Sequence, residues 1–213
     1  MVDPAVQVPC CCLVPSDAAG LIIGRGGATV RQICEESKAQ VNVSGDRDTP
    51  KALSDRIVTI QGTHEQMETA LREVIRLVHR SQELDGAEEG IFVTVVPCGA
   101  VEHVVGPGGE HIRELVETIG AEVNISRHNI AGTELQPVSV AGTPSQMLQA
   151  TMKVLSLVQE LADQGGLTID SYSWPRRLPA SATPSQAVSR TVRGWNEWSE
   201  DRLQMSKLTD CTR

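Results

Sequence analysis

Aromatic side chains are nearly missing: the 213-residue chain holds one Phe, one Tyr and three Trp, namely Phe92, Tyr172, Trp174, Trp195 and Trp198. Nucleic-acid modules that stack bases on aromatic platforms, the RRM and most OB folds, call for more than that. Positive charge is also short, with 19 Lys and Arg against 27 Asp and Glu and a net charge of −8. Any grip on a polyanion therefore has to be local. No run of about 18 apolar residues occurs, and the N-terminal MVDPAVQVP has neither a basic nor a hydrophobic leader segment. The expectation is a soluble protein of the nucleus or cytoplasm with no membrane attachment. Six cysteines (Cys10, Cys11, Cys12, Cys34, Cys98 and Cys211) form no CxxC pair and have no histidine at matching spacing. That argues against zinc or a disulfide framework and for small buried residues in a reducing compartment. No Ser/His/Asp set or useful carboxylate pair stands out, so neither enzymatic activity nor a cofactor or metal is expected.

Glycine, in contrast, is clustered. LIIGRGGATV (21–30) is echoed by HVVGPGGEHI (103–112), 82 residues later. At that offset Pro15 falls on Pro97, Gly24 on Gly106, Gly26 on Gly108, Gly27 on Gly109 and Val30 on Ile112, and VNVS (41–44) falls on VNIS (123–126). The offset then becomes 80, where GTHEQM (62–67) meets GTPSQM (142–147). A two-residue shortening in a loop explains the change, and the chain reads as a tandem repeat.

Each unit opens on a strand, VPCCCLVP or IFVTVVP, followed by a short apolar segment carrying the glycines, with Ser16 or Asp17 as N-cap in the first. A helix follows, with apolar positions at Val30 and Ile33, or at Ile112, Leu115 and Val116. Two strands come next, and then a longer helix that starts on a T-x-x-Q capping box, Thr63/Gln66 or Thr143/Gln146, with Pro144 at the first helical position. The order is β-α-α-β-β-α.

The glycines fit neither common phosphate loop. A dinucleotide fingerprint needs glycine where Thr29 and His111 stand, and no Gly-Lys-Ser/Thr occurs for a P-loop. What remains is G-x-x-G between two short helical segments, a tight turn that leaves backbone amides and a helix N-terminus facing an anion.

In these stretches, LVPSDAAGLIIGRGGATVRQICEES, VNVS and DRIVTIQGT in the first unit and VVPCGAVEHVVGPGGEHIRELVE, VNIS and VSVAGT in the second, the chain resembles tandem type I KH domains of the poly(C)-binding, hnRNP K and Nova group. The resemblance covers about residues 7–163 and implies an α+β fold. Each domain is a three-stranded antiparallel sheet packed on three helices, at 7–80 and 91–163. Between them lies an acidic linker (81–90), and after them a Ser/Pro-rich disordered tail (164–213). It implies a non-enzymatic binder of single-stranded RNA, with single-stranded DNA possible as a ligand. The loop Gly24, Arg25, Gly26 and Gly27 clamps the backbone, and bases enter an aliphatic groove. Gly20, Ile23, Val30, Val41 and Val43 are its expected floor. Arg56 matches the arginine that reads a central pyrimidine, often cytosine, in this family, whereas Cys34 replaces the family's further basic residue.

In unit two the corresponding residues are Gly106, Pro107, Gly108, Gly109, Ile112, Arg113 and Ile125, with Gln136 in place of Arg56. From Ile91 to Asp163 there are three basic and eight acidic residues, against nine of each from Gln7 to Arg80. Weaker binding is expected there, because phosphate contacts supply much of the affinity. His103 and His111 beside that loop read as exposed polar residues. The last helix carries Leu148 and Met152, with Leu155 and Gln159 continuing the line, where unit one has Glu68 and Arg72. That second apolar stripe either packs on unit one, meets another copy of the chain, or broadens the core. The rival function is a protein–protein adaptor.

Overall fold

The computed structural model describes residues 7–45, 55–130 and 133–167. Its first unit runs β1 (Cys10–Val14), α1 (Ser16–Ile23), α2 (Ala28–Ser37), β2 (Gln40–Val43), β3 (Arg56–Gln61) and α3 (His64–Ser81). The second runs β4 (Gly90–Pro97), α4 (Cys98–Val105), α5 (Glu110–Ile119), β5 (Glu122–Ile125), β6 (Leu135–Gly142) and α6 (Pro144–Asp163). The fold is α+β, and the β-α-α-β-β-α order holds twice. The expected tail lies outside the described residues from position 168 onward. Before that point Gly165 and Gly166 donate back to Ala162 O and Leu161 O, both at 2.9 Å.

Both long helices begin on the expected capping boxes. The Thr63 amide donates to Gln66 Oε1 and the Thr143 amide to Gln146 Oε1, each at 2.9 Å. Gln146 also donates from Nε2 to the Ile119 and Gly120 carbonyls at 3.2 and 3.3 Å, tying the start of α6 to the end of α5. Helix α1 departs from expectation. Pro15, extended at φ −55° and ψ 152°, is the N-cap, and Ser16 is already helical. The Pro15 carbonyl accepts from the Ala19 amide at 2.8 Å. Asp17 lies in the first turn, where the helix dipole favours a carboxylate.

Each unit contributes three antiparallel strands, and the two sets join into one six-stranded sheet in the order β2-β3-β1-β4-β6-β5. Strands β1 and β4 pair antiparallel with Cys11 opposite Val95, Cys12 opposite Thr94 and Leu13 opposite Val93. The Thr94 hydroxyl closes the seam by donating to Cys11 O at 2.9 Å. Because β1 is an interior strand, Cys10, Cys11 and Cys12 are all buried although they alternate between faces. Burial, and then the neighbouring cysteines, pushes the Cys10 and Cys12 thiols far above the ordinary range, so they are packing groups and not nucleophiles.

The helices form one connected layer: α1 and α2 pack on α3, α4 and α5 on α6, and α3 on α6. The second stripe of α6 lies in that last contact. Leu148 and Met152 are only 8% and 7% exposed. On the same side of α6 as Met152 and Leu155, Ser156 Oγ sits 3.4 Å from His64 Nε2, and Gln159 Oε1 accepts from the Val8 amide at 2.8 Å. Of the alternatives raised by the sequence, packing on unit one is the one the structure contains, so the face offered for self-association is already covered. The linker is pinned as well. Gln82 donates to Ile91 O at 2.7 Å and accepts from the Ile91 amide at 3.0 Å, and His79 Nε2 lies 2.9 Å from Glu88 O.

Candidate nucleic-acid interface

The first glycine loop is a tight turn, Arg25–Gly27, between α1 and α2, closed by the Gly27 amide donating to Gly24 O at 3.3 Å. Gly24 (φ 69°, ψ 178°), Gly26 (φ 59°, ψ 25°) and Gly27 (φ 78°, ψ 18°) all have positive φ, a region that side chains with a Cβ rarely enter. Gly24 is also hemmed in, since a Cβ there would lie 2.9 Å from the Thr29 backbone nitrogen and nearer still to the Thr29 hydroxyl. Gly26 has nothing within 4 Å of such an atom, so its outer side is open to a ligand.

These two glycines therefore separate stability from binding. Gly24→Ala is expected to lose about 2–3 kcal/mol, from the left-handed backbone and forced repacking around Thr29. Gly26→Ala pays only the backbone part, about 1 kcal/mol. Paired thermal melts measure the difference, and equal melting temperatures would contradict this account of the loop.

Beside the loop, Gly20 is exposed with open space around it, Ile23 is 37% exposed, and Val30 and Val43 are partly buried against the core. Val41 is 6% exposed and belongs to the core, because β2 turns it inward opposite Ile60. Leu21, at 40% exposure, is a further exposed apolar side chain of α1 that sequence reasoning passed over.

Arg25 is exposed on the loop. Arg56, at the start of β3, donates from Nη1 to Ser44 O at 3.0 Å, so it lies beside the end of β2. Arg31 was missed: its Nη2 donates to Gly26 O at 2.8 Å and places a guanidinium under the loop. The repeat offset carried the signal, because Arg31 falls on Arg113, which donates to Gly108 O at 3.2 Å in the same way.

A family model described as "KH domain" matches residues 10–76 and again 91–156. The chain belongs to the KH-domain family. Far upstream element-binding protein 2 of Homo sapiens is 29% identical over 164 residues, covering 72% of this chain and 22% of that protein. RNA-binding protein Nova-2 of Homo sapiens is 28% identical over 191 residues, covering 81% of this chain and 39% of that protein. The chain thus spans less than half the length of these relatives. Dim2p from Pyrococcus horikoshii OT3 is a looser likeness, 15% identical with a TM-score of 0.26 over 70% of this chain and 90% of that one.

The second KH unit reproduces the loop backbone closely. Gly106 (φ 73°, ψ 171°), Gly108 (φ 59°, ψ 19°) and Gly109 (φ 80°, ψ 20°) match their counterparts. Gln136 copies the Arg56 contact, donating from Nε2 to Ser126 O at 3.1 Å, but without charge. Ile112 and Ile125 are partly buried on its core.

Other side chains around the loop differ as well. Pro107 replaces Arg25, and an exposed carboxylate, Glu102, stands where unit one has Gly20. His111 stands where Thr29 is. His103 and His111 are not simply exposed, as the sequence suggested. The His111 ring packs under the loop, with Cγ 2.6 Å from where a Cβ on Gly106 would sit, and its Nδ1 lies 2.9 Å from His103 O. The two rings meet edge-on with centroids 6.1 Å apart.

Among the described residues no group of His, Cys, Asp and Glu is arranged to hold a metal ion, and no helix is long and apolar enough to cross a membrane.

Proposed function

We propose that this chain binds single-stranded RNA, and single-stranded DNA by the same contacts, as a non-enzymatic factor in the post-transcriptional regulation of mRNA in the nucleus or cytoplasm. One observation carries the reading. In unit one an open, positive-φ glycine turn carrying exposed Arg25 and braced by Arg31 follows the exposed Gly20 and Ile23 of α1, and Arg56 is anchored at the end of β2. Phosphates meet the turn and the guanidiniums, while flat bases meet Gly20, Ile23 and Val30. A side chain at position 20 would close the approach that the glycine leaves open. Short C- or U-rich segments are the preferred ligands, with the Arg56 guanidinium at the start of β3 as the charged group that reads the carbonyl edge of a pyrimidine.

Unit one is the main site. Unit two keeps the backbone of the loop but lacks Arg25 and Arg56 and adds Glu102 in an acidic setting, so its affinity is lower. That same acidity favours the second reading, an adaptor in which KH units hold proteins.

Fluorescence anisotropy of oligo(C), oligo(U), oligo(A) and oligo(G) with the full chain at two salt concentrations separates the readings. Salt-sensitive binding of C or U strands is expected, with Arg56→Gln narrowing the gap between pyrimidine and purine strands by about tenfold, the worth of one good charged contact. Inertness toward all four strands leaves the adaptor reading.

A further inference from the structure

Two positions beside the glycine turns differ as a pair between the repeats. Where unit one has Leu21 and Thr29, unit two has His103 and His111, whose rings meet edge-on with centroids 6.1 Å apart. His111, in the first turn of α5, puts Cγ 2.6 Å from the position of a Cβ on Gly106, so the ring lies directly against the loop. Its Nδ1 is 2.9 Å from His103 O. A carbonyl only accepts, so Nδ1 carries the proton and Nε2 is the base. A second proton therefore adds charge without breaking the bond that holds the ring in place. The charged groups around the pair come from three helices. His103 Nε2 is cut off from solvent and hydrogen-bonds nothing among the described residues, but Glu160 Oε2 on α6 stands 3.9 Å away, so a proton taken there is offset. Asp163, farther along α6, accepts from Gln159 at 2.8 Å instead. Glu102 on α4 and Glu110 and Glu114 on α5 are exposed, where water and salt screen them. Arg113 is committed to Gly108 O, and β4 and β6, which pack on α4, carry no titratable side chain.

We infer that His111 is a conditional cation: the glycine turn of unit two takes the phosphodiester backbone of a single strand with uptake of a proton, and holds it more tightly as pH falls. This rests on the RNA-binding reading above, and it restores to the turn the positive charge that Pro107 lacks. At the N-terminal end of α5 the helix dipole disfavours an imidazolium until an anion sits on the turn, and the anion then favours it. Linkage makes the two effects equal, since a phosphate that raises the proton affinity of His111 is itself bound tighter by the protonated form. Unit one, with Thr29 at this position and a permanent cation in Arg25, has no such dependence.

The test follows the anisotropy of a U-rich strand, in which neither base nor phosphodiester titrates, from about pH 8 to about pH 5.5 at constant ionic strength, the range in which histidine changes charge. The full chain is used with unit one disabled by Arg25→Asp/Gly26→Asp, and separately with unit two disabled by Gly108→Asp, whose side chain meets nothing within 4 Å. The first is expected to bind at least about fivefold tighter at the acid end, with proton uptake seen in calorimetry as a binding enthalpy that depends on the buffer. The second should show no such gain. With unit one disabled, His111→Thr, which copies unit one, and His111→Gln should both flatten the profile, whereas His128→Gln, at an exposed position after β5, leaves it intact. A profile as steep in both His111 variants as in their parent, or a flat profile in all of them, overturns the conditional cation and leaves the RNA reading standing. So does the absence of binding through unit two at every pH while the unmutated chain binds. An unmutated chain that binds no strand overturns both.

Discussion

Replacing Arg25 and Gly26 together by aspartate is expected to weaken binding of a C- or U-rich strand by about a hundredfold, or about 2.7 kcal/mol. The change removes one guanidinium and sets two carboxylates where phosphates should lie, so the local field changes sign. The loop itself tolerates the substitution. Gly26 is left-handed, a region aspartate enters more readily than most residues, and its outer side is empty. Lost anisotropy with a stability lowered by no more than the roughly 1 kcal/mol of the left-handed backbone would assign the first glycine turn as the phosphate clamp. Unchanged affinity would place the nucleic-acid contacts elsewhere.

The second large effect concerns folding. Leu148→Glu with Met152→Lys is expected to destabilise the whole chain by at least about 4 kcal/mol, out of a total that for domains of this kind is about 5–15 kcal/mol. Two nearly buried apolar side chains at the α3–α6 contact become charges with little access to water. Urea unfolding measures the loss. Leu148→Met, a volume-conserving change, should cost less than about 1.5 kcal/mol and serves as the control. If the charged pair unfolds within about 1 kcal/mol of the parent chain, the stripe is not a packing surface.

The local features were legible from the sequence alone. Capping boxes, the positive-φ glycine turn and the order of elements each depend on a few neighbouring residues, and the repeat supplied every one of them twice. What the reading missed is non-local. The pairing of β1 with β4 joins residues about eighty positions apart, and no short pattern announces it. A trace was still present: CCCLV and FVTVV lack the polar alternation of a half-exposed strand, as strands buried on both faces do. Arg31 was overlooked because attention stayed on the loop itself, although laying the repeats side by side matches it with Arg113. His111 was misread for the opposite reason. Its type suggested a surface role, whereas its repeat partner Thr29, tucked under Gly24, marked the position as packed.

The seam between β1 and β4 also sets the smallest piece of the molecule that can stand alone in water. Cutting the chain in the linker would bare the hydrogen-bonding edge of Cys10–Val14 on one fragment and of Gly90–Pro97 on the other, both apolar and without the charges that keep natural edges from pairing with strangers, and with a proline only at the last position of the second. Each fragment would carry a template for aggregation, and with it thiols brought to the surface. The tandem, with its short strands β2 and β5 at the rims, is thus the unit of solubility as well as of recognition.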